Sequence, residues 1–159
     1  MKKWLKRGLL AALVLLVAMQ LVPYGRAHDN PPVGVEPAWP SARVKELARR
    51  ACFDCHSHET AWPWYSSVAP LSWLVQHDVD DGRKHLNFSA WDRSREDGEE
   101  AAEELLEGAM PPAVYLPAHP QARLTEAEKA ELAAGLRALP RHGGGREGER
   151  EGERGGEWR

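Results

Sequence analysis

The chain has 159 residues, which suits one domain of about 100–150 residues, and its two cysteines, Cys52 and Cys55, are too few for the disulfide framework of a small secreted module. Its 21 basic and 24 acidic side chains give a net charge of -3, but five bases and no acids precede residue 28, which leaves 16 bases against 24 acids and a net charge of -8 in the rest. Since nucleic acids bind proteins largely through Lys and Arg, we expect no nucleic-acid partner.

The N-terminus has the pattern of an export signal or a membrane anchor. A basic stretch, MKKWLKR, precedes residues 8–22, where Gln20 is the one strongly polar residue. Residues 25–27 (GRA) have small residues at the spacing of a cleavage site, but the arginine makes it a poor one. A membrane span needs about 17–25 apolar residues, and residues 8–24 are at the short end of that range. We therefore expect an uncleaved anchor in the inner membrane rather than a cleaved signal, with the remaining chain on the exported, periplasmic side.

The segment after this leader begins without helical periodicity. Residues 28–40 contain four prolines and are predicted to form an extended tether. Ser41 is placed to cap a helix whose apolar residues recur at helical spacing up to Cys52. Residues 60–70 are rich in Trp, Tyr, Ser and Pro and predict an ordered aromatic loop.

Three further helices are predicted, over residues 71–79, 95–106 and 126–139. Asp81-Gly82 ends the first, and the second is strongly acidic. Thr125 and Glu128 form a capping box at the start of the third. Between the second and the third, residues 108–121 contain four prolines and cannot be helical for long.

The fold predicted from these elements is all-α, since no segment alternates in the manner of a strand. The predicted units are a signal or anchor segment at 1–27, the tether at 28–40, the helical domain at 41–141 and a tail at 142–159. The tail mixes Gly, Arg and Glu with almost no apolar side chain, so we expect it to be disordered.

The chemistry of the chain is concentrated in the sequence Cys-Phe-Asp-Cys-His at residues 52–56. Two thiols one helical turn apart, followed at once by an imidazole, have the spacing of c-type haem attachment. Cys52 and Cys55 would add to the two vinyl groups of haem, and His56 would approach the iron from the same side. The motif therefore predicts one covalent haem c per chain.

The two cysteines have three alternative uses: a redox dithiol, a zinc site and a structural disulfide. A thioredoxin-like dithiol needs a βαβ setting, which the sequence does not show. A zinc site could be assembled from the two cysteines, His58 and one more histidine, but a second pair of closely spaced ligands is missing. A disulfide between Cys52 and Cys55 would close a small strained ring on a helix.

A second axial ligand for the iron can be sought by elimination. Beyond the leader, Met110 is the one methionine, and Pro111-Pro112 after it would stiffen a loop across the far face of the ring. The alternative role for a lone methionine is core filling. The other candidate ligands are three histidines: His119, which shares the Met110 loop, His77 and His85.

Aromatic side chains offer the lining of a haem pocket. The candidates are Trp64, Tyr65 and Trp73, and for each of them the alternative is ordinary core packing. An indole or phenol group near a haem propionate would be a more specific role, for which Trp64 and Tyr65 are placed best.

Several short patterns together resemble one known family. They are the Cys-x-x-Cys-His-Ser sequence at 52–57, Trp-Pro-Trp-Tyr at 62–65, Pro70 with Ser72-Trp73, residues 86–89 with Trp91, Met110-Pro111, Tyr115, His119-Pro120 and the capped helix from Thr125. Over about residues 20–140 the chain resembles the bacterial haem-binding domain family of small c-type cytochromes. Members of that family usually carry an N-terminal hydrophobic segment, which favours the anchor.

The resemblance implies a cytochrome c-like helical domain around one covalent haem. It implies Cys52 and Cys55 as thioether sites, His56 as proximal ligand and, from the family's general pattern, Met110 as distal ligand. The implied function is transfer of single electrons to and from redox partner proteins that the sequence does not identify, rather than catalysis. Two alternatives stay open: a peroxidase-like enzyme, which needs an open sixth position on the iron, and a haem sensor or binding module.

Overall fold

The computed structural model describes residues 2–94 and 97–140. All regular elements in this part of the chain are helical, which confirms the predicted all-α fold. The α-helices are α1 (Lys2–Met19), α2 (Ala42–Ala51), α3 (Phe53–His56), α4 (Leu71–His85), α5 (Gly98–Glu107) and α6 (Glu126–Arg137). Three short 3-10 turns lie at Trp64–Ser67, Trp91–Arg93 and Pro120–Ala122.

Helix α2 begins where the sequence predicts. The Ser41 side chain accepts a hydrogen bond from the Val44 N–H at 3.1 Å, which satisfies one of the unpaired donors at the helix start. The apolar face of α2, which includes Leu47 and Ala48, is buried against α6. This packing places Cys52, at the C-terminal end of α2, against the hydrophobic core.

Helices α5 and α6 pack against each other and both start at a capping box. The predicted box of Thr125 and Glu128 is present at α6. At α5, the Asp97 side chain accepts from the N–H groups of Glu99 and Glu100, and the Asp97 N–H donates to the Glu100 side chain. The helix therefore begins at Gly98, while the predicted start at Arg95 lies outside the described residues. The core between α2, α5 and α6 includes Leu105, Leu132 and Leu136.

Helix α4 is longer than predicted. It was expected to end at Asp81-Gly82, but it continues to His85. Gly82 lies where α4 presses on α3: a Cβ atom there would come within 2.6 Å of the carbonyl oxygen of Cys55. The glycine therefore permits a close helix contact instead of ending the helix.

Residues 28–40 have no regular helix or strand, as predicted for the tether, but they are hydrogen-bonded to the domain. The Gly34 N–H donates to Ser89 and the Trp91 N–H donates to Val35, both at 2.8 Å. The Asn30 side chain donates to the carbonyl of Thr60 at 2.9 Å. This segment therefore forms part of the surface of the helical domain.

Helix α1 has no buried residue. Within residues 2–94 and 97–140, no helix combines the length and the apolar character needed to cross a membrane. The predicted disordered tail, residues 142–159, lies outside the described residues.

Candidate functional site

The three residues of the predicted attachment motif share one turn of the chain. Cys52 ends α2 and precedes α3, and its carbonyl oxygen accepts from the N–H groups of Cys55 at 3.2 Å and His56 at 2.9 Å. The two sulfur atoms are not joined in a disulfide. The short helix α3 and the Cys52 residue that precedes it thus hold two thiols and one imidazole within one turn of the chain.

The His56 ring is oriented by the end of α4. Its Nδ1 atom lies 3.1 Å from the carbonyl oxygens of both Gly82 and Leu86. A carbonyl oxygen only accepts, so Nδ1 must carry a hydrogen, and in the neutral ring the lone pair is then on Nε2. The Phe88 N–H donates to the His56 carbonyl at 2.8 Å and holds the backbone as well. These contacts select the tautomer that can bind a metal through Nε2.

Both thiols of the motif are held in the neutral form. Burial raises the pKa of Cys52 to about 12, with a further contribution from Cys55. Burial, followed by the negative charges of Asp78 and Asp54, raises the pKa of Cys55 to about 12. The structured chain therefore presents two protonated sulfur atoms at neutral pH.

A small cavity lies beside Cys55, between α3, α4 and the loop after α5. Its volume is about 50 Å³, well below the roughly 300–1,000 Å³ of common small-molecule pockets. Tyr65 lines it on one side, Val75 and Val79 of α4 on another, and Tyr115 with His119 close it. This cavity is therefore too small to enclose a porphyrin. What fits a haem is the chemistry of the donor atoms in the motif, two thiols and an imidazole.

Four polar side chains form a connected cluster around the cavity. The Tyr115 hydroxyl donates to Asp54 Oδ2 at 2.5 Å, and the Tyr115 ring stacks on His119 at 3.7 Å between centroids. His119 is buried; its Nδ1 atom is 3.0 Å from the Tyr115 carbonyl, and its Nε2 atom is 3.4 Å from the Tyr65 hydroxyl. Asp54 and Tyr115 were not predicted as site residues, although Tyr115 is part of the pattern that carries the family resemblance.

Met110 lies in the loop after α5 and is 39% exposed. It is not part of the buried core, so the core-filling alternative does not describe it. Its N–H donates to the carbonyl of Glu104 at 3.2 Å, which ties the loop to the last turn of α5. The loop has no α-helix, as its prolines predict.

The predicted aromatic lining is only partly assembled at the cavity. Tyr65 lines the cavity, whereas Trp64 is 81% exposed and meets Tyr65 edge to face at 5.8 Å. Trp73 is half-buried on α4 and does not line this cavity. Trp91 belongs to the hydrophobic core.

The alternative ligands and sites receive little support from the geometry. Both ring nitrogens of His119 have partners within the cluster. His77 and His85 are exposed on α4. The C-terminal end of α4 contacts the Nδ1 atom of His56, so it lies on the side of the ring away from the Nε2 atom that would bind iron. In the described part of the chain, no group of three or more His, Cys, Asp or Glu side chains is arranged to hold a metal ion, which gives the zinc alternative no support.

Comparison with known proteins supports haem binding. A family model described as a haem-binding domain matches residues 14–138, which is most of the chain. No curated protein and no solved structure matches it. The residues present fit such a group, since two thiols and an oriented imidazole are what covalent attachment and axial ligation of a haem require.

Proposed function

Since this chain belongs to the haem-binding domain family, we propose that it is an exported c-type cytochrome that binds one covalent haem and transfers single electrons. The observation that supports this most is the setting of His56, whose Nδ1 lies 3.1 Å from two backbone carbonyls. Histidines that bind metals usually donate their other ring N–H to such an acceptor, which fixes the tautomer and the ring orientation. His56 is therefore prepared for axial ligation through Nε2.

Cys52 and Cys55 are the proposed attachment points. Each thiol would add across one vinyl group: sulfur would bond to one vinyl carbon, the thiol hydrogen would go to the other, and no oxidant or reductant would be needed. Both cysteines and His56 lie on one turn, so attachment and ligation occur from the same side. When bound, haem supplies an iron that takes up and releases one electron.

Met110 is the proposed ligand on the opposite side. Its exposure outside the core and its place in a proline-rich loop favour this role over packing. The thioether of methionine raises the reduction potential relative to a second histidine. With four porphyrin nitrogens and the two side chains His56 and Met110 as ligands, a bound iron would have no position left for a substrate, which suits electron transfer better than catalysis.

Electron carriers, peroxidase-like enzymes and sensors all bind haem, so haem binding alone does not distinguish them. Carbon monoxide binding does, because it reports whether the iron has an open sixth position. We expect the reduced protein to bind carbon monoxide slowly and the Met110→Ala variant to bind it rapidly. The same variant should lose the sulfur-to-iron charge-transfer band of the ferric protein and have a lower reduction potential. Met19→Ala, which removes a methionine from α1, is the matched control. Rapid binding by the unaltered protein would refute the six-coordinate electron carrier.

The proposed location is the periplasmic side of the inner membrane, with the apolar segment within α1 retained as the anchor, although α1 as a whole does not meet the requirements of a membrane-spanning helix. The basic residues of α1 lie at its N-terminal end, which favours a cytoplasmic N-terminus. Supporting contacts come from the segment just after α1. The Gln20 side chain donates to the carbonyl of Ala69 at 2.9 Å and accepts from the Ala69 N–H at 3.0 Å. Such a reciprocal pair matches a side chain built into the fold rather than part of a removable leader.

Gly25 gives a second reason to expect that the leader is retained. It has a φ of +78°, and a Cβ atom there would come within 2.1 Å of the carbonyl oxygen of Ser72. Cleavage after residue 27 would remove both Gly25 and Gln20 from these contacts. We expect the mature protein to keep its N-terminus and to stay with the membrane fraction. A soluble mature form that begins at His28 would contradict this location.

A further inference from the structure

The loop that carries Met110 is fixed at both ends, and the second end is fixed by Tyr115. We propose that Tyr115 is a positioning residue. Its hydrogen bond to Asp54 fastens the Met110 loop, residues 108–119, to α3, the helix that follows Cys52 and contains Cys55. This contact then sets how far the Met110 side chain reaches. The inference rests on the methionine ligation proposed above and adds the residue that controls it.

The first end of the loop is fixed by α5. Helix α5 ends at Glu107 and is capped by Gly108, and the N–H groups of Ala109 and Met110 both donate to the carbonyl of Glu104, at 3.0 and 3.2 Å. Helix α5 is itself packed against α6. The backbone of Met110 therefore starts from a rigid support.

The second end of the loop is fixed through a side chain. The Tyr115 N–H donates to the carbonyl of Pro112 at 2.9 Å, which folds the chain into a turn directly after the two prolines. From this turn the Tyr115 hydroxyl donates to Asp54 Oδ2 at 2.5 Å. The two residues are 61 positions apart in the sequence, so this bond ties two distant parts of the chain together.

Asp54 is well placed to act as the fixed acceptor. It lies in α3 between Cys52 and Cys55, two residues before His56, and its Oδ1 atom accepts from the Ala61 N–H at 2.9 Å. Burial and the hydrogen bond to Asp54 raise the pKa of Tyr115, so its hydroxyl remains a donor at neutral pH. A short bond from a hydroxyl to a carboxylate is stronger than one between neutral groups.

His119 supports the same tyrosine from the other side. Its ring is nearly parallel to that of Tyr115, with 7° between the planes and 3.7 Å between the centroids. Because His119 is buried, Tyr115 is held between a buried ring and a carboxylate on α3. Only a short stretch with two prolines separates Tyr115 from Met110, so a displacement of one is transmitted to the other.

The test is Tyr115→Phe, which keeps the stacked ring and removes only the hydroxyl. We expect the holoprotein to show a weaker sulfur-to-iron charge-transfer band and a lower reduction potential. Imidazole, used as a probe that displaces methionine from ferric iron, should bind at least about tenfold more tightly, the effect expected from losing one hydrogen bond to a charged group. Backbone N–H exchange at residues 115–119 should also accelerate.

The matched control is Tyr24→Phe, since Tyr24 is a half-exposed tyrosine hydrogen-bonded to Asp80, outside the cavity. It should leave the band, the potential and imidazole binding unchanged. A second variant, Asp54→Asn, keeps an acceptor oxygen without the charge and should lie between the wild type and Tyr115→Phe. If Tyr115→Phe fails to accumulate with haem, Asp54→Asn decides: wild-type values in that variant would overturn the inference.

The results separate this inference from the proposed function. If Met110→Ala loses the band but Tyr115→Phe keeps the wild-type band, potential and imidazole affinity, the positioning role is wrong and the ligation stands. If Met110→Ala also keeps the band, methionine ligation itself is wrong. Reduced haem content in Tyr115→Phe, with normal spectra in the loaded fraction, would show a folding role only and would likewise overturn the positioning role.

Discussion

At the scale of single residues, His56 depends on partners that side-chain patterns do not reveal. Its ring is oriented by the carbonyl oxygens of Gly82 and Leu86, which lie 26 and 30 positions away. Every residue has a backbone carbonyl, so no residue type marks these two as acceptors. The spacing of Cys52, Cys55 and His56 predicts His56 as the candidate ligand, whereas the carbonyl groups that orient its ring are defined only by the packing of α4 on α3.

Tyr115 and Asp54 illustrate the same limit for side chains. Asp54 lies inside the motif, but nothing in the sequence indicates that its carboxylate receives a hydroxyl from a residue 61 positions later. The proline-rich loop was predicted not to be helical for long, and in the structure residues 108–119 contain no α-helix or 3-10 turn. The contact that fastens it depends on tertiary packing.

The thiols allow a prediction at the same scale. With a pKa of about 12, Cys52 and Cys55 should contain about a thousandfold less thiolate at pH 8 than a thiol of pKa 9. We expect iodoacetamide to alkylate the folded haem-free chain much more slowly than the same chain in guanidinium chloride. Mass spectrometry after timed quenching measures both rates. Equal rates would show that the thiols are not buried as described.

At the scale of helices, α4 shows why a glycine is ambiguous in a sequence. Asp81-Gly82 predicts the end of a helix, but Gly82 remains helical because α3 lies too close for a side chain. A sequence pattern cannot distinguish a glycine that ends a helix from one that permits a close contact. By contrast, the capping residues Ser41 and Thr125 act through their immediate neighbours, and both were predicted correctly.

Gly82→Ala tests the contact between α3 and α4. The added Cβ atom would come within 2.6 Å of the Cys55 carbonyl oxygen and 3.1 Å of its Cβ atom. Overpacking of this kind typically costs about 1–3 kcal/mol, so we expect a lower midpoint of thermal unfolding and less attached haem. Gly8→Ala is the control, since nothing lies within 4 Å of the added atom. An unchanged midpoint for Gly82→Ala would rule out the close approach of these helices.

Glu128 allows a prediction about acid stability at the start of α6. Hydrogen bonds from the Thr125 backbone and from Arg50 and Arg43 lower the pKa of Glu128 to about 2. A lowered pKa in the folded state means that its stabilisation is complete above the unfolded value, near 4.5, and is lost as the pH falls toward 2. Glu128→Gln should therefore unfold at a lower temperature than the wild type at pH 6.

The difference between Glu128→Gln and the wild type should shrink steadily between about pH 4.5 and pH 2, where the wild-type carboxylate becomes protonated. Glu131→Gln is the control, because Glu131 only forms an exposed ion pair with Arg43 at 3.6 Å. A difference that is independent of pH would contradict the stabilisation by charge. Thermal unfolding followed by far-ultraviolet circular dichroism measures all three proteins.

At the scale of the whole molecule, the helical fold class and the haem-binding family were both predictable from the sequence. Helical periodicity and capping are local properties, and the attachment motif spans only residues 52–56. The docking of residues 20–36 on the domain was not predictable, because it relies on individual polar contacts such as those of Gln20 and Asn30. Proline-rich segments look alike in a sequence whether or not they are bound to a surface.

The most direct test of covalent haem attachment through this motif is the mass of the purified, exported protein under denaturing conditions. We expect the mass of the chain plus that of one haem, which remains after extraction with acidified acetone. Cys52→Ser and Cys55→Ser should each leave one thioether link, and the double variant should carry no covalent haem. A wild-type protein with the mass of the chain alone, whose haem is removed by the extraction, would contradict the proposal.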